Sequence, residues 1–514
     1  MMQAVRTLLG LFLLALCLPA CTGPRLQGPR PVASAITGPV SGPAEAWREH
    51  VGPLQAVQDR FGDAPLNYRV SWSALRLDPH LGAASAAVSA TTYRLDCSCD
   101  RAARPVMFFF NGGPGASSSP LHFFAGPRAR GADGHFPDNP YTVLRAADLV
   151  FIDPVETGFS HGQTPDGAAR YLGVEGDVAA VGRYIRAWLE ASGHTEAPVL
   201  LAGQSYGGAR LARLLPGLAD LDVRGLVMVS PALDAAPGAS YLAHVFSLPT
   251  MAATAWRFGR SGLAAHSEAE SWELARAYAE TDYLAALQQG DRIAPEVKAQ
   301  AADTLAAMTG LDARRIFDAS LRIETQVFLE TLLAEEGMLI SRLNTALTSP
   351  LPAPGASPGR PPAANDPALG LGGANMILAP EIGAYLTEMT GIALRADYRS
   401  LNLDANFAWD WRSTQKAAGG TPAPSALLAG FLETRPETRL IVFAGTRDLA
   451  TPLLSTLHEL SQVGLTGRAV VAALPGGHSP YDVPALRAAM ADDLFTFMTE
   501  AAGAAPAAFK EPAP

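Results

Sequence analysis

A single serine in the middle of the chain has the surroundings of a catalytic nucleophile. Ser205 lies in Gly203-Gln-Ser-Tyr-Gly207, which follows the apolar run 198–202 and precedes leucines at helical spacing. Short unbroken apolar runs form strands buried on both faces, so the sequence predicts a sharp strand-to-helix turn with the serine at its apex. Small residues two positions before and after the serine let the backbone turn without a Cβ clash. The next helix would point its N-terminus at whatever the hydroxyl attacks.

A serine hydroxyl becomes nucleophilic at neutral pH only with a base, and the base needs an orienting carboxylate. Both follow predicted strands further along the chain: Asp448 comes after the apolar run 439–444, and His478 comes after the run 468–473. Parallel sheets place their sites at these strand ends. The order serine, acid, histidine is that of doubly wound hydrolases. We therefore predict Ser205, Asp448 and His478 as a catalytic triad that needs no metal and no organic cofactor.

The elements that must position these residues alternate between strands and helices. Apolar runs that end in loops bearing Gly or Asp also occupy residues 105–110, 148–152 and 225–230. Residues 67–78 and 84–96 alternate between apolar and polar side chains, as antiparallel edge strands do. This succession predicts an α/β fold with a mostly parallel, doubly wound sheet.

Between residues 240 and 415 the pattern changes to successive helices without a strand run. We predict that residues 240–415 form a helical cap inserted after the nucleophile strand. The hydrolase core would then consist of residues 45–239 and 416–502, followed by a loose, low-complexity tail at 503–514.

Composition and charge are those of a globular protein, and the N-terminus predicts that it is exported. The 514 residues are 48% hydrophobic and 17% charged, which excludes a disordered chain, and the formal net charge of −10 argues against nucleic-acid binding. Residues 1–20 have the charged start, apolar block and small residues of a signal peptide. Leu18-Pro-Ala-Cys21 resembles a bacterial lipobox and predicts a lipid anchor at Cys21 in the periplasm or cell envelope, although its Pro19 leaves ordinary signal cleavage open. Residues 21–44, rich in Pro and Gly, would act as a tether.

Two further cysteines lie close together in Cys97-Ser-Cys99. No other Cys or His lies at metal-site spacing, so a metal site is not predicted. In an oxidising compartment the pair would form a tight disulfide or stay reduced, and a local structural feature is the preferred interpretation.

Four motifs occur together in the order and spacing of a known family. They are Asn111-Gly-Gly-Pro-Gly-Ala-Ser-Ser118, Asp153-Pro-Val-Glu-Thr-Gly-Phe-Ser160, Gly203-Gln-Ser-Tyr-Gly207, and Asp448-Leu-Ala-Thr-Pro452 with Gly477-His478. With them the chain resembles the serine carboxypeptidases of the carboxypeptidase C and cathepsin A type, and most of all their bacterial secreted branch. The resemblance implies the α/β-hydrolase fold.

The same resemblance implies roles for individual residues. The backbone N–H groups of Gly113 and Tyr206 would form the oxyanion hole. Asn111, Gly112 and Gln204 would bind the substrate, with the Asn111 amide donating to the C-terminal carboxylate of the peptide.

Two positions depart from the family's pattern. The family usually has a Glu immediately before the nucleophile, paired with a second Glu in the helix after the Asn-Gly-Gly-Pro-Gly motif. The pair shares a proton and holds the peptide's carboxylate, which restricts the enzyme to chain ends. Here the first position is Gln204 and the second falls at or near Ala125. Glu156 and His122 are nearby candidates for altered recognition, but a structural or solvated role is the preferred interpretation of each.

The triad and the resemblance predict a secreted serine-type carboxypeptidase that hydrolyses C-terminal bonds of peptides or proteins through an acyl-enzyme. Two alternatives remain open. One is an esterase or acyltransferase on the same triad, and the other is a lipid-tethered surface protein that has lost activity and only binds peptides. The missing acids favour both alternatives, whereas the intact triad opposes the second.

Overall fold

The structure is a computed structural model that describes residues 47–234, 240–352, 361–394, 397–411 and 422–503. The predicted signal peptide, the tether with Cys21, and the tail beyond Gly503 lie outside the described residues.

The strands of the described residues alternate with helices through most of the chain. In chain order they are β1 (Trp47–Val57), β2 (Leu66–Leu77), β3 (Ala86–Leu95), β4 (Val106–Phe110), β5 (Asp148–Asp153), β6 (His161–Gly162), β7 (Val199–Gln204), β8 (Val223–Val229), β9 (Met338–Ile340), β10 (Thr348–Pro350), β11 (Met376–Leu378), β12 (Arg399–Asn402), β13 (Arg439–Gly445) and β14 (Ala469–Leu474).

Within the described residues, ten strands form one sheet, in the order β1-β2-β3-β5-β4-β7-β8-β13-β14, with the short β6 beside β3. Along this order, the neighbouring strands β5, β4, β7, β8, β13 and β14 pair in parallel. The pairs β1–β2, β2–β3, β3–β5 and β3–β6 are antiparallel. The mostly parallel sheet and the two predicted edge strands, β2 and β3, are therefore confirmed. The sequence interpretation missed β1, which forms the outer edge.

The helices fill the connections between these strands. The α-helices of the described residues are α1 (Ser119–Ala125), α2 (Pro165–Ala169), α3 (Val174–Ser192), α4 (Tyr206–Leu214), α5 (Leu242–Arg257), α6 (Glu268–Tyr278), α7 (Leu284–Gln289), α8 (Pro295–Thr309), α9 (Ala313–Asp318), α10 (Thr325–Thr331), α11 (Pro380–Thr390), α12 (Leu403–Phe407), α13 (Pro424–Thr434), α14 (Leu453–Gln462) and α15 (Pro484–Ala501).

Helices cover both faces of the sheet, because the parallel strands are apolar on both sides. On one face α3, α4 and α13 bury residues such as Trp188, Leu211 and Leu428 against the strands. On the other face α1, α11 and α15 bury residues such as Phe124 and Leu494. A mostly parallel sheet of this strand order with helices on both sides agrees with the predicted α/β-hydrolase fold.

The segment between β8 and β13 is more varied than the sequence pattern indicated. Helices α5 to α10 pack around an apolar cluster of their own. Two small antiparallel sheets, β9 with β10 and β11 with β12, also lie here; their strands of three or four residues are too short to give a periodic signal. Helix α11 packs on the main sheet instead, where Ile382 and Leu386 join the core and Gly52 of β1 lies against Met389. The single cap at 240–415 stays a prediction.

Of the two alternatives for the paired cysteines, the structure has the disulfide. Cys97 and Cys99 are joined directly after β3. The bond closes a loop of three residues shortly after the end of β3, away from the predicted triad residues in the sequence.

Candidate active site

The predicted strand-turn-helix around Ser205 is present. Strand β7 ends at Gln204, α4 begins at Tyr206, and Ser205 between them has φ 59° and ψ −128°. A non-glycine residue at positive φ is uncommon and marks a strained turn. A Cβ on Gly203 would lie 2.2 Å from the Gly207 carbonyl oxygen, so the turn requires glycine there. Ser205 is half-buried at the carboxyl end of the central strand.

The predicted acid and base are hydrogen-bonded to each other. His478 Nδ1 lies 2.7 Å from Asp448 Oδ2. Asp448 is fully buried, and its Oδ1 accepts the backbone N–H groups of Ala450 at 2.7 Å and Thr451 at 3.1 Å. These bonds fix the orientation of the carboxyl group, which can then orient the imidazole.

A threonine hydroxyl lies within hydrogen-bond distance of both the acid and the base, although the sequence interpretation gave this residue no role. Thr451 Oγ1 lies 2.7 Å from Asp448 Oδ2, 3.2 Å from His478 Nδ1 and 3.0 Å from the Ser230 carbonyl oxygen. The hydroxyl has a single proton and donates it to one acceptor at a time. When it donates to Asp448 Oδ2, that oxygen accepts from both Thr451 and His478. Its position three residues after Asp448, inside a recognised motif, was the available signal.

Glycines bring the loops of the site into contact. A Cβ on Gly112 would lie 2.4 Å from the Tyr206 nitrogen, so the Asn111–Gly113 turn packs directly on the nucleophile turn. Gly113 itself is exposed and has φ 94°. On the other side, a Cβ on Gly445 would lie 2.2 Å from the Gly477 oxygen, which joins the loops of the acid and the base. The oxyanion role of Gly113 and Tyr206 stays a prediction.

Asn111 is fixed through its backbone by a buried ion pair. Arg210 Nη1 donates to the Asn111 carbonyl oxygen, and Arg210 Nε lies 2.6 Å from Asp177 Oδ2. Arg210 is fully buried. Asn111 is buried as well, and its side-chain Oδ1 has no hydrogen-bond partner among the described residues. The side-chain amide is therefore not committed to the protein at that atom.

Gln204 has a different set of contacts from the predicted one. Its Nε2 donates to the His478 carbonyl oxygen at 3.0 Å and to Ser479 Oγ at 2.9 Å, and Tyr481 Oη donates to its Oε1 at 2.6 Å. The side-chain amide has only two N–H groups. Both are used within the protein, and Gln204 is 2% exposed. No N–H of Gln204 is left for a substrate carboxylate, so the predicted substrate contact is corrected to an internal one.

Ala125, Glu156 and His122, the other residues considered for binding the substrate carboxylate, make contacts within the protein. Ala125 is fully buried, and its carbonyl oxygen accepts from Thr142. Glu156 forms an ion pair with Arg399 and accepts the Gly162 N–H at 2.9 Å. His122 Nε2 lies 2.6 Å from the Tyr93 hydroxyl, and burial lowers the pKa of His122 to about 3, so it is neutral. These contacts agree with the structural interpretation preferred for Glu156 and His122.

Asp153, the first residue of the second motif, is hydrogen-bonded to Ser118, the last residue of the first motif. Its Oδ1 accepts the N–H and the hydroxyl of Ser118, both at 2.9 Å, and the hydroxyl of Tyr398 at 3.1 Å. Burial raises the pKa of Asp153 to about 6, although these three donors oppose the shift. Asp153 thus supports the segment that carries Asn111.

Aromatic rings lie beside the nucleophile turn. The ring of Tyr206 meets Trp409 edge-on at 5.5 Å and Trp411 at 5.7 Å between centroids. Trp409 is buried and Trp411 is exposed. The sequence interpretation missed this cluster, because only the fold brings residues 409–411 beside the residue that follows Ser205.

Neither a membrane span nor a metal cluster was found in the part of the chain that the structure describes. No helix there combines the length and apolarity needed to cross a bilayer. No group of three or more His, Cys, Asp or Glu side chains there is arranged to hold a metal ion.

Comparison with known proteins gives matches to serine carboxypeptidases. The serine carboxypeptidase family model matches residues 93–220, which include Asn111, Asp153 and Ser205 but not Asp448 or His478. A vacuolar serine-type carboxypeptidase of Saccharomyces cerevisiae is 32% identical over 112 residues, which are 21% of this chain and 21% of the relative. Serine carboxypeptidase-like 36 of Arabidopsis thaliana is 31% identical over 143 residues, 25% of this chain and 29% of the relative. The matches thus span less than a third of each relative's length.

Among solved structures, a prohormone-processing carboxypeptidase from Saccharomyces cerevisiae aligns over 89% of this chain and 92% of its own, with 13% identity and a TM-score of 0.46. The family-model match covers the turn of Asn111 and the turn of Ser205, which the structure packs against each other. Over residues 93–220 the chain is similar to the serine carboxypeptidase family, as its motifs predicted.

Proposed function

We propose that this protein is a serine-type carboxypeptidase that removes C-terminal residues from peptides or proteins through an acyl-enzyme. The observation that carries the proposal is the His478–Asp448 hydrogen bond in a fold whose central strand ends in the strained turn of Ser205. Nucleophile, base and orienting acid at the ends of parallel strands are the parts that acyl transfer needs.

The reaction follows from these roles. Ser205 Oγ attacks the scissile carbonyl carbon and its proton passes to His478 Nε2, while Asp448 stabilises the imidazolium. The C–N bond then breaks, and the histidine gives the proton to the leaving amine. Water repeats the sequence on the ester, which releases the acid and restores the serine.

Charge that develops on the carbonyl oxygen needs donors fixed before the reaction. We assign this task to the backbone N–H groups of Gly113 and Tyr206, since the Asn111–Gly113 turn packs on the nucleophile turn. Asn111 and Gly112 would face the substrate, with the Asn111 amide on its terminal carboxylate. Helices between β8 and β13 would cap the site.

Export belongs to the proposal as well, on sequence grounds. A signal peptide at 1–20 would direct the chain out of the cytoplasm, and lipidation of Cys21 would hold it at the cell envelope through the tether at 21–44. If so, the protein partitions with membranes and Cys21→Ser releases it or stalls its processing. A soluble mature protein that begins after residue 21 would contradict the anchor.

The direct test combines labelling and turnover. A fluorophosphonate should add to wild-type protein at Ser205, as intact mass and peptide mapping would detect, and should not add to Ser205→Ala. One peptide is then offered with a free C-terminal carboxylate and as its C-terminal amide, and products are followed by mass spectrometry. Release of the last residue from the free acid at a much higher kcat/KM supports a carboxypeptidase.

One observation favours a second candidate, an esterase or acyltransferase on the same triad. The two family positions for the carboxylate-binding acids hold Gln204, whose amide is used internally, and Ala125, which is apolar and buried. Labelling at Ser205 with rapid ester turnover and no peptide cleavage would select this candidate. Absence of labelling in folded protein would reject both.

A further inference from the structure

The side chain of Gln204 joins the nucleophile strand to the loop that carries the base. Gln204 is the last residue of β7 and directly precedes Ser205. Its amide bonds to the His478 carbonyl oxygen, Ser479 Oγ and Tyr481 Oη, so three hydrogen bonds of 2.6 to 3.0 Å link these segments. The partners are His478 itself and the residues one and three positions after it.

Other contacts fix different parts of the same loop. The His478 N–H donates to the Leu343 carbonyl oxygen at 2.7 Å, and Asp448 holds the imidazole. Tyr481 is buried and stacks on Phe124 at 4.8 Å between centroids. Among the hydrogen bonds of this loop within the described residues, those of Gln204 are the ones that reach the nucleophile's strand directly.

We propose that Gln204 is a positioning residue, which fixes the His478 backbone relative to Ser205 and makes no contact with the substrate. The proposal rests on the proposed function only in requiring that Ser205 and His478 act together; it holds equally for ester or peptide substrates. It assigns chain-end recognition to groups other than residue 204.

Geometry of this kind acts on the rate of the chemical step. A misplacement of about 1 Å in a catalytic group can cost about 100-fold in rate. Loss of the Gln204 bonds leaves Asp448 and the loop's other contacts in place. We therefore expect a fall in kcat of about 10- to 100-fold, with KM changed by less than about twofold.

The experiment compares Gln204→Met, which keeps the length of the side chain without its hydrogen bonds, with Gln204→Glu. Gln58→Glu is the matched control, since Gln58 Nε2 donates to two backbone carbonyl oxygens, of Asp59 and Gly62, at an exposed site. Each variant is assayed on p-nitrophenyl acetate, on a peptide with a free carboxylate and on its amide. For each Gln204 variant, the loss of kcat should be the same on every substrate that the wild type turns over. Gln58→Glu should keep the wild-type kcat.

The pH dependence gives a readout that a merely structural role would not move. A glutamate at 204 can donate a hydrogen bond to the His478 carbonyl oxygen only when protonated, and burial favours the protonated form. The charged or titratable groups that face this loop are His478, Tyr481 and Asp482 within it, Asp448 bonded to His478, and Arg487 on α15; both Gln204 variants keep all of them. The ratio of Gln204→Glu to wild-type kcat should therefore rise as the pH falls, whereas the ratio for Gln204→Met stays level.

A smaller perturbation covers the case of variants that do not fold. Tyr481→Phe keeps the ring and removes only the donor to Gln204 Oε1, so it should lower kcat about two- to fivefold, with unchanged KM. If Gln204→Met keeps wild-type kcat, or if its loss appears only as a higher KM for free-carboxylate peptides, the proposal is wrong. Failure of the proposed function has another signature: ester turnover that responds to Gln204 with no peptide cleavage at all.

Discussion

The two sides of the nucleophile differ in how far family roles can be transferred to this chain. On the catalytic side, Asp448 and His478 lie at strand ends and bond to each other at 2.7 Å. On the recognition side, the resemblance implies an acid at the position of Gln204, and the atoms of Gln204 are bonded to the His478 loop. Under the proposal above, a residue at a position expected to recognise the substrate supports the base instead.

The difference has a physical origin. A triad works only in one geometry, so strand ends, turns and bonding partners are all constrained together. A substrate contact needs only an uncommitted polar atom at the right place. When Gln204 replaces an acid, its two N–H groups can satisfy buried oxygen atoms of the protein, and a buried polar group without a partner costs about 1–3 kcal/mol. Asn111 Oδ1, in contrast, is left without a partner among the described residues.

The largest effects should come from the catalytic side. Ser205→Ala or His478→Ala should lower kcat by about 1000-fold or more, because the triad acts as a unit. Initial rates on an activated ester and on a free-carboxylate peptide would measure this. Turnover near the wild-type rate in His478→Ala would remove the basis of the assignment.

Substitution of Asp448 should lower activity much more than substitution of Thr451. Asp448→Asn should cost about 1000-fold, since an amide favours the wrong imidazole tautomer. Thr451→Val removes only the hydroxyl that shares Asp448 Oδ2 and should cost about tenfold in kcat. Steady-state kinetics of both variants checks the order; equal losses would mean that Thr451 does more than support the acid.

The catalytic side was predictable from the sequence because its signals are local. An apolar run, a turn with small residues and a helix identify Ser205, and two later runs identify Asp448 and His478. The edge strand β1, the short strands β9 to β12 and the bonds of Gln204 were not predictable in this way. Strands β9 to β12 are too short to give a periodic signal. The bonds of Gln204 depend on a partner far away in sequence, Tyr481, which only the packed fold brings beside it.

On the recognition side, Asn111→Ala should act on binding and not on chemistry. We expect KM for a free-carboxylate peptide to rise about tenfold, as loss of one hydrogen bond to a charged group would cause, with the amide unaffected. Asn375→Ala, which removes an amide bonded to Asp404 at an exposed site, is the matched control. Equal loss on the acid and the amide would place chain-end recognition elsewhere.

The effect with the least bearing on activity concerns the stability contribution of Asp153, which supports the segment of Asn111 through Ser118. Burial raises the pKa of Asp153 to about 6 from 3.8, so the folded state favours its neutral form. Its contribution to the free energy of unfolding is complete below about pH 4 and is lost as the pH rises through about 6, an amount of about 3 kcal/mol. Asp153→Asn is neutral at every pH and keeps an oxygen for the Ser118 and Tyr398 donors. Its stability relative to wild type should therefore rise between pH 4 and pH 7 and then stay level, as urea unfolding at each pH would measure. Asp303→Asn, which removes an exposed carboxylate, controls for the loss of a charge; a difference curve for Asp153→Asn as flat as that of the control would show that burial does not govern Asp153.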